Sequence, residues 1–259
     1  EATGAGKFFI DLAYAATGRQ RGGPAKAAVV ASAGMGSISG SAIANVVTTG
    51  AFTIPLMKKL GYRPAQAGGI EAAASTGGQI MPPLMGAGAF LMSEFTQVPY
   101  SQIVLISIFP AFLYFGSVYL LVHIAAVKLG MKGLPASELP KVREVMADGW
   151  HFLLPLIALV VFLVVGYSPM RVGFYAVLSI LAAAGLRAFM RFLAEGPSGK
   201  AFAAMMVSAA KLNLSALELG ARNAVAVSMA CAVAGIIVGV VGLTGLGLKF
   251  SAMMLAFSG

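Results

Sequence analysis

The 259 residues are 59% hydrophobic and only 10% charged, with a mean hydropathy of +0.88. Soluble domains run near half apolar and a quarter charged, so this composition excludes an ordinary soluble globule and predicts an all-α polytopic membrane protein. The net charge of +9 would point a soluble chain toward nucleic acid. Here Lys and Arg lie in short segments between apolar runs, where they set topology, so no nucleic-acid partner is expected.

In chain order, residues 1–26 predict an amphipathic cytoplasmic segment, KFFIDLAYAATG, ending in the basic cluster Arg19, Arg21 and Lys26. Residues 27–57 carry no charge, yet are crowded with Gly34, Gly36, Gly40, Ser37, Ser39, Ser41, Asn45, Thr48 and Thr49. As one helix they would reach about 46 Å, well past a hydrocarbon core of roughly 30 Å. The pattern predicts a re-entrant hairpin of two half-length helices with a tip near Ser37 to Ser41. Lys58, Lys59 and Arg63 follow it, so both ends carry cytoplasmic charge. Broken backbone at membrane depth must be buried by protein or line a cavity, so the tip is expected to face a site.

Residues 64–92 are long enough to cross, but Gly77, Gly78, Pro82 and Pro83 interrupt them, which predicts a discontinuous helix. Residues 101–127, 151–166 and 172–186 predict transmembrane helices, with a basic inside loop between the first two and Trp150 as an interfacial anchor. Residues 192–221 predict an amphipathic interfacial helix, and 223–248 a further apolar run. The chain opens on Glu1 and ends in the apolar FSAMMLAFSG, which reads as a piece of a larger protein.

Glu71 is the one acidic residue inside an apolar run. An intramembrane carboxylate is costly enough to be a candidate for coupling to a proton or cation; the alternative is a structural partner for Arg63 or a backbone donor. Asn45, Ser75, Thr76 and the neighbouring Gln79, Ser39 and Ser41 offer neutral oxygens without a carboxylate cluster, which suits a monovalent cation better than calcium or magnesium. Backbone carbonyls of the broken segments would complete such a shell. The competing reading is that the small residues only let helices approach closely. An enzyme would need a nucleophile with a base, or closely spaced metal ligands. Neither is recognisable: His123 and His151 stand near the ends of the inner loop, and Cys231 lies alone in an apolar run. No enzyme activity and no cofactor are expected.

The wording of residues 17–83, from GRQRGGPAKAAVVASAGMGSISG through VVTTG to EAAASTGGQIMPP, resembles the first signature region of the large membrane subunit of the tripartite ATP-independent periplasmic (TRAP) transporters. The resemblance is nearest to the fused permeases that work with a TAXI-type binding protein. It implies an elevator-type secondary transporter built from inverted repeats, the second beginning at 223–248 and cut off at 259. It implies uptake of an organic acid across a bacterial or archaeal cytoplasmic membrane, coupled to a sodium or proton gradient. The implied partners are a periplasmic TAXI-type substrate-binding protein, the lipid bilayer and the remainder of the permease with its small-subunit helices. Carried onto this sequence, Ser37, Ser39, Gly40, Ser41, Gln79, Pro82 and Pro83 would line the substrate, and Asn45, Ser75, Thr76 and Gly77 would hold the cation. The alternative is a membrane scaffold whose Gly/Ser motifs only pack helices.

Overall fold

The computed structural model describes residues 5–168, 170–179, 182, 185 and 199–258. Its regular elements are all helical, as the composition predicts, with no strand among the described residues. They run α1 (Ala5–Thr17), α2 (Gly23–Ser39), α3 (Ala42–Lys59), α4 (Pro64–Thr76), α5 (Ala87–Thr96), α6 (Tyr100–Lys128), α7 (Val142–Gly149) and α8 (Leu153–Val164). Residues 170–179 are helical, and the helices Gly199–Thr244 and Leu246–Ser258 follow. The chain divides into two compact units, Glu1–Ala209 and Ala210–Gly259, and the candidate site lies in the first.

Residues 27–57 fall in α2 and α3. Pro24 sits in the first turn of α2, where a missing N–H costs nothing. The helix stops at Gly40, whose φ of 60° suits glycine and whose N–H reaches Gly36 O at 2.9 Å. Ser41 then caps α3, its Oγ accepting from the Ala44 N–H at 3.3 Å. Ser32 faces Thr49 and Gly36 faces Asn45, so one number falls as the other rises and the two helices are antiparallel. Lys58 and Lys59 close the last turn of α3, where cations complement the helix dipole.

After Arg63, Pro64 opens α4, and Gln66 Oε1 accepts from the Arg63 N–H at 3.2 Å. The helix gives way to a single 3-10 turn, Gly77–Gln79, and resumes only at Ala87. Between them lies the cis Pro82–Pro83 bond. Neither proline has an N–H to continue the ladder. α5 then runs to Thr96 and carries Glu94.

Among the described residues, two helical runs are long and apolar enough to cross a membrane: Tyr100–Lys128 and Val142–Val164. On α6, Ile106, Phe109, Phe112 and Leu121 are exposed, an arrangement costly in water and natural in lipid. The second run starts before Trp150, because a 3-10 turn, Trp150–Phe152, links α7 directly to α8. Its first half is tied to α1 by Gly149, which packs on Phe8, and by the Phe8 and Phe152 rings, 5.8 Å apart. Of the expected helix 172–186, residues 180, 181, 183, 184 and 186 lie outside the described residues, as do 192–198.

The sequence separates 192–221 from 223–248, whereas residues 199–244 form one helix. The helix runs through Gly220 at the junction: no proline interrupts residues 199–244, and Arg222 bridges the glycine with an i, i+4 contact to Glu218 at 2.9 Å. The break comes later, at Gly245, with φ of 63°.

Candidate functional site at the hairpin and the broken helix

Polar side chains in the hairpin recur every fourth residue, at Asn45, Thr49 and Thr53 on α3, and a spacing of four keeps them on one face. That face packs on α4, which presents Glu71 and Ser75 at the same spacing. Glu71 is completely buried. Its Oε1 accepts from Ser32 Oγ and Ser75 Oγ, each at 3.1 Å, and from Thr49 Oγ1, and its Oε2 accepts from Thr53 Oγ1 at 2.5 Å. Three helices therefore meet on one carboxylate. Gly50 makes the room, since a Cβ there would stand 3.1 Å from Glu71 Cγ. The expected alternative partner, Arg63, is not among these donors.

The threonine hydroxyls each have a second acceptor. Thr49 Oγ1 also lies 2.7 Å from Asn45 O, and Thr53 Oγ1 lies 3.0 Å from Thr49 O. Each hydroxyl carries one proton, so it must choose between the carboxylate and its own helix. On α1, burial first and the Glu71 carboxylate second push the Tyr14 phenol up, which keeps it neutral at physiological pH.

One turn nearer the tip, the polar layer is neutral. Asn45 is fully buried, and its Nδ2 donates to Ser32 O at 2.8 Å. Its Oδ1 is buried without a hydrogen-bond partner. Beside it the main chains of Gly36 and Gly78 touch, and a Cβ on either would overlap the Cα of the other. The hairpin and the broken helix are thus in contact at the break itself.

The predicted cation residues divide. Asn45 reaches the break, and Ser75 is buried with its hydroxyl on Glu71. Thr76 is exposed, its Oγ1 bonded to Ala72 O at 2.7 Å. Gly77 packs on the rings of Tyr114 and Phe115, and its carbonyl accepts from the Ile80 N–H at 3.1 Å.

The predicted substrate residues cluster at the tip and after the break. Leu84 N–H donates to Ser37 O at 3.3 Å, and Gly40 lies against Met85 O so closely that no side chain would fit. Ser37 is buried, with its Oγ bonded to Gly34 O at 2.7 Å. Ser39 and Gln79 are exposed, and Ser41 is half-buried as the cap of α3. Pro82 lines a cavity of about 230 Å³ with Ala33, Met81, Ile108, Ala111, Phe112 and Phe115. Pro83 is buried, and its carbonyl accepts from Tyr100. Sequence reasoning missed Ser32 and Thr53; the four-residue spacing of Asn45, Thr49 and Thr53 was the signal for the latter.

Residues 1–259 match the family described as the tripartite ATP-independent periplasmic transporter, DctM component. The chain belongs to the DctM family. Similar proteins include the C4-dicarboxylate TRAP transporter large permease protein DctM of Pseudomonas aeruginosa, 31% identical over 160 residues, covering 62% of this chain and 36% of the relative. The protein y4mL of Sinorhizobium fredii is 30% identical over 131 residues, covering 51% of this chain and 31% of the relative. The match thus spans about a third of each of these relatives. DctM membership agrees with the apolar α6 and the run Val142–Val164: this chain is an integral membrane protein.

Proposed function

We propose that this DctM chain is part of a multi-pass inner-membrane permease that takes up an organic acid, coupled to a sodium or proton gradient and supplied by a periplasmic binding protein of the TAXI type. The remainder of the permease, with its small-subunit helices, would complete the site, and the hairpin and broken helix would move as an elevator between the two faces. The C4-dicarboxylate of the Pseudomonas aeruginosa relative's name makes succinate the first substrate to try.

The observation that carries this reading is the Asn45 Oδ1, a buried acceptor without a partner where the hairpin meets the break. Buried acceptors almost always have partners, and a small cation would supply one. Its neutral oxygen favours sodium. Backbone carbonyls around Gly77 and the Ser75 hydroxyl adjoin Gly78, against which Asn45 packs, and would share the shell. Glu71, bonded to Ser75 on one side and to Ser32, Thr49 and Thr53 on the other, is the proposed coupling element that ties hairpin to broken helix.

The test is sodium-dependent uptake of labelled succinate by full-length permease reconstituted with its binding protein. Asn45→Ala is expected to raise the sodium concentration for half-maximal uptake severalfold, and Thr76→Ala to leave it nearly unchanged, because its hydroxyl is turned onto Ala72 O. Equal midpoints for wild type and Asn45→Ala would decide against the cation site.

A further inference from the structure

A helix broken inside a membrane leaves main-chain groups that its own ladder no longer serves, and lipid cannot serve them. Here α6 reaches both sides of the break. Tyr114 donates its hydroxyl to Ala73 O, in the last turn of α4, at 2.8 Å, a second bond to the carbonyl that takes the last ladder bond before the break, from the Gly77 N–H. Tyr100 donates beyond the break, to Leu84 O at 2.6 Å, with Pro83 O at 3.2 Å sharing the proton. The two tyrosines are 14 residues apart, about 21 Å along one helix. Residues 74–82, with the 3-10 turn Gly77–Gln79, lie between the carbonyls they hold.

Both phenols are themselves held. The Phe90 ring stacks on Tyr100 at 4.7 Å with an interplanar angle of 4°. Tyr114 meets Phe115 edge to face at 5.7 Å, and both rings press on Gly77, where a Cβ would come within 2.6 Å of Tyr114 and 2.7 Å of Phe115. A phenol on a packed ring is a stiff donor, because rotation of the ring is blocked and only the hydroxyl proton is free. The chain after the break is tied back to it through Gly86 N–H to Gln79 O at 2.7 Å, and it touches the hairpin through Leu84 N–H to Ser37 O. Moving either anchored carbonyl would therefore move Gly78 against Gly36 and Asn45.

We propose that Tyr100 and Tyr114 are positioning residues for the cation site: they fix the main chain on either side of the break, and so set how well Asn45 and the Gly77 region bind sodium. The proposal rests on the cation reading above and adds to it two residues from an element outside the hairpin and the broken helix.

The test uses purified full-length permease and needs no substrate. Sodium, at constant ionic strength with choline, is titrated while thermal stability is followed, and amide exchange is measured on the same samples. Tyr100→Phe and Tyr114→Phe each remove one oxygen and keep the ring. Each should raise the sodium midpoint about two- to tenfold, the loss expected for one hydrogen bond. Exchange should quicken at residues 80–86 in Tyr100→Phe and around Gly77 in Tyr114→Phe. Tyr119→Phe is the control, since its hydroxyl donates to Gln20 at 2.7 Å, at the other end of the unit. It should change neither readout. Faster exchange with an unchanged sodium midpoint would reduce the two tyrosines to packing residues and overturn the proposal. Unchanged exchange in both variants would overturn it as well. A wild type that sodium does not stabilise would remove the cation site, and this inference with it. A sodium midpoint that moves as expected in a protein that takes up no succinate would uphold the inference and count against the transport reading alone.

Discussion

At the scale of single residues, Glu71 decides most. Four hydroxyls stand within hydrogen-bond reach of a carboxylate that has no access to water. A buried polar group is costly unless it is hydrogen-bonded, and these hydroxyls supply the bonds. Glu71→Gln keeps the shape but replaces one acceptor with an N–H donor. If the carbonyl takes the Oε1 place, the Ser32, Thr49 and Ser75 bonds are kept, and Thr53 turns to Thr49 O at 3.0 Å. The expected loss is about 1–2 kcal/mol, seen as a lower melting temperature of the full-length protein in detergent. Glu71→Ala would also leave a hole and should lose more. Equal melting of wild type and both variants would mean that the carboxylate does not hold the three helices together.

At the scale of elements, the hairpin and the broken helix are joined by what glycine omits. Gly36→Ala would push its Cβ into the Gly78 main chain, so it should lower stability by about 1–3 kcal/mol and weaken sodium binding. Gly68→Ala, on α4 with open space around it, should be neutral or stabilising by up to about 1 kcal/mol. Thermal melts of the pair make the comparison, and equal effects would show that close approach is not what Gly36 provides. The all-α class could be read from composition alone, and Gly40 and Ser41, where α2 ends and α3 begins, stand inside a conspicuous Gly/Ser stretch. The partners of Glu71 could not be read that way. Asn45, Thr49 and Thr53 name a polar face, but only the register of α2 on α3 brings Ser32 to it, and register is a product of tertiary packing. The long helix Gly199–Thr244 was hidden for the opposite reason: a change from amphipathic to apolar pattern at Gly220 resembles a boundary, although no proline stops the backbone there.

At the scale of the whole molecule, the antiparallel hairpin puts the basic ends of α2 and α3 at one end of the unit. Arg21 and Lys59 are both exposed there. Single cysteines at these positions, in a Cys231→Ser background, should react with an impermeant thiol reagent from the cytoplasmic side only. Labelling of the two from opposite sides would rule out a re-entrant hairpin. The contact between Gly36 and Gly78 bears on how such a unit can travel. Side chains have rotamers and can absorb a small displacement, but main chain pressed on main chain has none. The joint has no play, so an ångström of shift at the tip is delivered undiminished to the break. If the unit travels as proposed, the hairpin and the broken helix would move as one piece, and any gating would come from the rim, at exposed Ser39 and Gln79, not from slippage within the joint.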